Sequence, residues 1–351
     1  MTKDNRLMRL WPGVPLALAS ATLFGVTPPL AKTLLATVEP LMLAGILYLG
    51  AGIGLVIYRL ARDASHEARL SMADLPWLAL AILAGGVIGP VLLMLGLSFT
   101  SASTSSLLLN LESMTTMAIA WVVFRENVDR RLLIGAGTII AGAVFLTWNG
   151  KTLSLDVGAL LVTGACLAWG IDNNLTRKIS GADPVSIAML KGLVAGLVNI
   201  GLAVAAGFSL PALDTTVAAG FVGFFGIGIS LVLFILALRH LGTARTGAYY
   251  SLAPFIGAVL AVLALGEPVS PAFALAAILM AIGLWLHLSE RHMHEHIHET
   301  IEHEHSHVHD EHHQHAHNGP VTEPHSHWHR HRPTRHAHPH YPDLHHRHEH
   351  R

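Results

Sequence analysis

Two groups of residues in this sequence could do chemistry, and they lie in unlike surroundings. The first is histidine: 23 of the 26 fall between Arg291 and Arg351. Most alternate with other residues, as in His292, His294, His296 and His298, then His303, His305, His307 and His309, then His325, His327, His329 and His331. His312, His313, His315 and His317 lie between the second and third runs. Neutral imidazole is a borderline ligand that suits Ni2+, Co2+, Zn2+ and Cu2+, and the interleaved Glu and Asp add oxygen donors. Alternate spacing does not choose among these metals. Prolines at 320, 324, 333, 339 and 342, with few apolar residues, predict a tail without a packed core that is disordered in the absence of metal. A short uninterrupted run would read as an expression tag, which this is not.

The second group consists of polar residues inside apolar runs. Glu112 sits within Leu109-Asn110-Leu111-Glu112-Ser113, and Asp172, Asn173 and Asn174 follow one another further on, with Lys191 beyond. An ionised group in hydrocarbon is costly, and intramembrane acids usually mark ion or proton pathways. At 1.5 Å per residue Glu112 falls about 16 Å from the outer end of its helix, and Asp172 about 11 Å nearer the cytosol. Three consecutive side chains cannot share one helix face, but Asp172 and Thr176 can. Plainer readings compete: a protonated, hydrogen-bonded Glu112; an Asp172 paired with Arg177, Lys178 or Lys191; a Lys191 that snorkels or neutralises a carboxylate. Glu112, Asp172, Asn173, Asn174 and Lys191 are thus the candidates for cargo and proton coupling. Glu126 and Glu267 read as scaffold, His240 and His287 as interfacial, His66 as a loop residue, and Met94, Met114 and Met117 as packing.

The rest of the sequence must hold those residues in a membrane. Of 351 residues 52% are hydrophobic and 13% charged, against roughly 25% charged in ordinary soluble domains. Apolar runs long enough for a ~30 Å hydrocarbon layer fall at 14–35, 39–58, 75–96, 101–124, 132–149, 154–175, 184–206, 214–238, 243–265 and 270–289. Lys and Arg in the connecting segments divide 13 to one between the two sides, Lys151 being the one. The excess marks the cytoplasmic side and puts both termini there. The first run is too long for a signal-peptide core and is expected to be retained. Cys166 is the single cysteine, which excludes an intrachain disulfide and a cysteine-cluster metal site. No nucleophile triad, phosphate loop or dinucleotide fingerprint appears, so the chain reads as neither an enzyme nor an ATPase, with no prosthetic group and an ion gradient as its energy source. No basic surface suggests nucleic acid.

Two halves of the apolar part resemble each other. Phe24-Gly25-Val26 with Leu30 and Lys32 matches Trp169-Gly170-Ile171 with Leu175 and Arg177, and Glu39-Pro40 matches Asp183-Pro184. Leu97, Leu111, Ala120, Glu126 and Val128 align without gaps on Leu238, Leu252, Ala261, Glu267 and Val269. Five helices per unit force the second copy in upside down, the signature of a secondary transporter whose site lies between the repeats. With these repeats, each closing in a Gly/Arg-Glu-x-Val element, residues 14–289 resemble the EamA-type drug/metabolite transporter superfamily. The run Trp169 to Lys178, Asp183-Pro184, Lys191-Gly192 and the tail are similar to its His-tailed nickel/cobalt efflux (CnrT-like) subgroup.

The expected architecture is an all-α membrane protein of ten transmembrane helices in two inverted five-helix repeats. A cytoplasmic N-terminus (1–13), the first repeat (14–149), the inverted second repeat (150–289) and the His-rich cytoplasmic tail (290–351) follow in order. The resemblance implies a multi-pass transporter of the bacterial inner membrane exporting Ni2+, with Co2+ second, in exchange for protons; a homodimer is left open. Two rivals are an exporter of amino acids or metabolites with an incidental tail, and a metal store or sensor. The tail reading is tested on the peptide 291–351. It is expected to bind several equivalents of Ni2+ or Zn2+ at about pH 7.5 and to release them near pH 5, since protonated imidazole cannot ligate. Calorimetry finding less than one metal per tail would refute it.

Overall fold

A computed structural model describes residues 13–61, 68–124, 130–147 and 156–288, and within the tail 293–297, 302–307, 325–330 and 335–339. The membrane part is all helical. Its elements in order are α1 (Gly13–Leu34), α2 (Pro40–Ala61), α3 (Leu75–Ala81), α4 (Gly89–Phe99), α5 (Ala102–Leu108), α6 (Leu111–Phe124) and α7 (Arg130–Thr147). There follow α8 (Val157–Ile179), α9 (Pro184–Ala205), α10 (Leu213–Gly223), α11 (Ser230–Tyr250), α12 (Ala253–Leu265) and α13 (Pro271–Leu288). Two π-helical segments, Ile82–Ile88 and Phe224–Ile229, join α3 to α4 and α10 to α11. By length and apolarity seven of the described stretches can cross a membrane, and Ala253–Leu265 and Pro271–His287 are shorter apolar helices. Large side chains such as Leu60, Val122, Leu263 and Trp285 stay exposed on the outside of the bundle, as lipid-facing residues must.

Local chemistry sets several helix starts. Asp183 caps α9, accepting from Val185 N (3.1 Å) and Ser186 N (3.3 Å), with Pro184 in the first turn where no amide is needed. Asp156 accepts from Gly158 N and Ser101 from Thr104 N in the same way. Gly266, at φ +67°, ends α12 in the left-handed conformation that glycine adopts without strain. Just past the end of this element Glu267 reaches across to α5, its two carboxylate oxygens each 2.8 Å from the amides of Ala102 and Ser103. That is a scaffold role, a carboxylate on a helix N-terminus.

The helices pack in pairs: α2 on α9, α7 on α13, α5 on α12, α1 on both α11 and α12, and α8 on both α4 and α6. Where apolar lipid surrounds the helices, close backbone approach through small residues does much of the work. On α2 a Cβ at Gly52 would lie 2.5 Å from Leu193 N, and on α9 one at Gly192 would lie 2.5 Å from Gly52 N.

One expectation is corrected, and two details are added. The run 101–124 is not one helix: a turn at Leu109–Asn110 separates α5 from α6, closed by Asn110 Nδ2 on Leu107 O at 2.9 Å. The span read over 214–238 has its counterpart in Leu213–Leu238, and the link to the run starting at 243 is itself helical, within α11. In the tail, the four described segments form two strand pairs. β1 (Met293–Ile297) pairs antiparallel with β4 (Arg335–Pro339), and β2 (Glu302–His307) with β3 (His325–Arg330). Alternation is also the period of a strand. The register sets His294 opposite His338, His296 opposite His336, and His303, His305 and His307 opposite His329, His327 and His325. His292, His298, His309, His312, His313, His315, His317 and His331 lie outside the described residues, as do Glu126 and His66.

The glycine seam is open to test. Gly52→Val should cost about 1–3 kcal/mol by overpacking and reduce recovery of monodisperse protein in size-exclusion chromatography. Gly137→Ala, with nothing within 4 Å of a new Cβ, should behave as wild type; equal recovery of both would contradict the seam.

Candidate functional site

The candidate polar residues converge on one cavity inside the bundle, and the break in the fourth apolar run is what permits it. Because α6 starts afresh at Leu111, Glu112 occupies its first turn, where a carboxylate is favoured by the helix N-terminus. Its backbone carbonyl accepts from Thr115 Oγ1 (2.9 Å) and Thr116 Oγ1 (2.8 Å). Its side chain is half-buried, with Oε1 2.9 Å from Asn173 Nδ2, which also reaches Thr116 Oγ1 at 3.2 Å. Asn174 turns the other way and ties α8 to α6 through Thr116 O (3.1 Å) while bonding Gly170 O (2.8 Å). Asn173 thus lines the cavity and Asn174 serves the scaffold.

Asp172 and Lys191 are both buried, at 6% and 3% exposure, and they hold each other. Lys191 Nζ lies 2.6 Å from each carboxylate oxygen of Asp172 and 3.4 Å from Thr176 Oγ1. Thr176 donates to Asp172 Oδ1 at 2.8 Å, as the four-residue spacing on α8 predicts. The carboxylate lies directly against Gly85 of the first π segment, where any side chain would collide with it. Of the partners weighed from sequence, Lys191 is therefore the one on Asp172. Lys178 stands instead over the Trp77 ring, 4.2 Å from its centroid. Glu112 and Asp172 line the same cavity, with Asn173 bridging from the residue beside one to the other.

Aromatic rings close the rest of the cavity. Phe24, Tyr48, Trp169, Phe234 and Tyr250 line it together with Gly226 and Ile227 of the second π segment and Ser230 of α11. Phe24 meets Trp169 edge-on with centroids 5.9 Å apart and Tyr250 at 5.5 Å, and Tyr250 meets Phe234 at 4.8 Å. A π turn leaves backbone carbonyls off the helical ladder, and here side chains claim them. Gly85 O accepts from Tyr48 OH (2.7 Å) and Trp169 Nε1 (3.0 Å), and Gly86 O from Asn199 Nδ2 (3.1 Å).

The aromatic wall was not among the residues singled out by chemistry, yet the repeat carried a signal for part of it. Phe24 and Trp169 are aligned, each followed by a glycine. A Cβ at Gly25 would lie 2.5 Å from Ala253 O, and one at Gly170 2.5 Å from Thr115 Oγ1. Both glycines let their helix approach a neighbour while the preceding ring covers the cavity. Elsewhere, His287 bonds Leu132 O at 3.2 Å, Met94 and Met114 are buried packing residues, and Cys166 is buried. Among the described residues no group of three His, Cys, Asp or Glu is placed to hold a metal.

Of the three ionisable residues Glu112, Asp172 and Lys191, one carboxylate is in excess once the pair is matched. A cavity so built can hold a cation or a proton on Glu112, or a zwitterion between Glu112 and Lys191. The pair itself is tested by Asp172→Asn. It strands a buried ammonium, at a cost on the order of 3–5 kcal/mol, and should sharply lower the yield of folded protein; a yield equal to wild type would contradict the pairing.

Comparison with known proteins places this architecture. The EamA-like transporter family model matches residues 11–148 and again 156–289. An uncharacterized transporter of Methanothermobacter thermautotrophicus is 30% identical over 299 residues, 80% of this chain and 87% of the relative. A probable terminal-alkyne amino-acid exporter of Streptantibioticus cattleyicolor is 26% identical, covering 61% of this chain and 73% of the exporter. The uncharacterized inner membrane transporter YedA of Escherichia coli is 25% identical, covering 70% and 81%. A solved crystal structure shares the fold with a TM-score of 0.61 at 18% identity, over 78% of this chain and 95% of that one. The chain belongs to the EamA-like transporter family. It is a multi-pass membrane transporter, not an enzyme.

Proposed function

We propose that this transporter exports a divalent transition metal, Ni2+ first and Co2+ second, from the cytoplasm in exchange for protons, and that the histidine tail collects the ion at the inner mouth. The observation that carries the reading is the excess carboxylate: Glu112 stands in the membrane interior beside an Asp172–Lys191 pair, so the cavity favours positive charge. Among the described residues, neither histidine nor cysteine lines that cavity. A transport site must release what it binds, so tight capture belongs to the tail, where the register sets five histidine pairs opposite each other, and loose passage to the carboxylates.

The alternating-access frame is ten spans in two inverted five-helix halves, with both termini cytoplasmic in the bacterial inner membrane. Several features support it. The repeat offset of 141 residues, Leu97 to Leu238, carries the π segment at Ile82–Ile88 onto the one at Phe224–Ile229. It also carries the turn at Asn110 onto the helix break at Ser251. The pairing of α1 with α11 and α12 mirrors that of α8 with α4 and α6.

Energetics favour exchange. Moving one Ni2+ outward against an inside-negative potential costs about 2.3 kcal/mol per charge per 100 mV, or roughly 4.6 kcal/mol. Two returning protons cancel that charge movement. A second reading, export of amino acids or related metabolites, is favoured by the aromatic wall and by Lys191, which could receive a carboxylate while Glu112 receives an ammonium. The amino-acid exporter among the relatives points the same way. A metal store or sensor would need the tail alone.

Everted vesicles separate these readings. Glu112→Gln keeps the acceptor for Asn173 and so should insert normally, yet it should abolish nickel accumulation driven by an imposed pH gradient. Removing residues 291–351 should alter but not abolish that accumulation. Wild-type accumulation by Glu112→Gln would refute the exchange role. Loss of all nickel handling with the tail would favour a store, and amino-acid flux without nickel flux the second reading.

A further inference from the structure

The placement of Lys191 is unusual for a scaffold residue. Its ammonium reaches both oxygens of Asp172 at 2.6 Å, while Thr176 is the further polar partner at 3.4 Å. Its carboxylate partner lies against the backbone at Gly85 and is also held by Thr176 Oγ1 at 2.8 Å. Lys191, by contrast, hangs on a flexible four-carbon stem from α9 and borders the open cavity shared with Glu112. The fixed member of the pair is therefore the anion and the movable member is the cation.

We propose that Lys191 is a tethered stand-in for the cargo: its ammonium occupies Asp172 when the cavity is empty and withdraws when a positive group of the cargo arrives. The proposal rests on the cargo carrying a cationic group, as in the preceding section. It adds a specificity-setting residue to that site. Two consequences follow from the geometry. In the empty carrier the buried carboxylate is neutralised, so the protein can reorient without carrying an unpaired charge through hydrocarbon. The cargo, in turn, binds only to the fraction of molecules whose lysine has withdrawn, so its apparent affinity is lowered by that fraction. No bond is made or broken and Lys191 keeps its proton throughout.

The test compares full-length wild type with Lys191→Gln, Lys191→Arg and the double variant Asp172→Asn/Lys191→Gln in proteoliposomes. The probes are Ni2+ and, separately, neutral amino acids. Removing the competing ammonium should lower the half-saturating concentration of the carried probe about ten-fold and reduce the maximal rate. Arginine, which holds a carboxylate with a two-pronged fork, should raise it. Lys191→Gln leaves Asp172 unpaired and could fail to fold, so the double variant keeps the test decisive. It restores a neutral hydrogen-bonded pair but lacks both competitor and second carboxylate, so its half-saturation should rise above wild type. A structural pair predicts the opposite, a double variant with wild-type half-saturation, and that result overturns the proposal. So does an unchanged half-saturation in both single variants. If wild type carries amino acids and not Ni2+, the metal reading fails, and the lysine proposal is judged on the amino-acid half-saturation in the same way. A wild type that carries neither probe overturns both.

Discussion

An ion in hydrocarbon must have a partner, and this requirement organises the centre of the protein. Asp172 and Lys191 are buried from opposite helices and satisfy it by holding each other at 2.6 Å. Everything around them follows from that. Gly85 leaves room for the carboxylate, Thr176 satisfies one of its oxygens, and the π segment that carries Gly85 is itself pinned by Tyr48 and Trp169. Among the described residues, the side chain of Glu112 is met by the amide of Asn173 and by no cation. Glu112 thus adds a second carboxylate to the cavity beside the paired Asp172 and Lys191.

The second organising feature is the departure of the backbone from plain α-helix around the cavity. Irregular backbone at membrane depth is tolerated where it is enclosed by protein or lines a cavity. Here it takes two forms, the π segments at Ile82–Ile88 and Phe224–Ile229 and the breaks at Leu109–Asn110 and Ser251–Leu252. The first π segment offers carbonyls to Tyr48, Trp169 and Asn199, and the first break frees Glu112 to start a helix. Glycines at positions 25, 52, 170 and 192 let the flanking helices close in. Side chains claim the carbonyls that the first π segment frees, so the interrupted backbone keeps partners beside the polar site.

Much of this was legible in the residues. The apolar runs, the paired glycine-aromatic motifs and the four-residue step from Asp172 to Thr176 each have a local cause, and the structure has a counterpart for each. Which partner Asp172 would take was open between Arg177, Lys178 and Lys191, since spacing along one helix says nothing of what a neighbouring helix brings. Helix rise gives each of Glu112 and Asp172 a depth but does not say that both line one cavity, which follows from the packing of α6 on α8. Phe234 and Tyr250 look like ordinary apolar residues in sequence and become cavity wall only through packing. The histidine alternation was read as unstructured chain, yet the same period suits the paired strands described in the tail.

The central claim is that one carboxylate-rich cavity exchanges cation for protons, so the measurement that bears on it most directly is the ratio of the two fluxes. In vesicles loaded with a pH-sensitive dye, an outward-directed nickel gradient should drive proton uptake in the opposite direction, at about two protons per Ni2+, and the flux should be nearly indifferent to membrane potential. Nickel movement that leaves internal pH unchanged and follows the membrane potential alone would contradict the account.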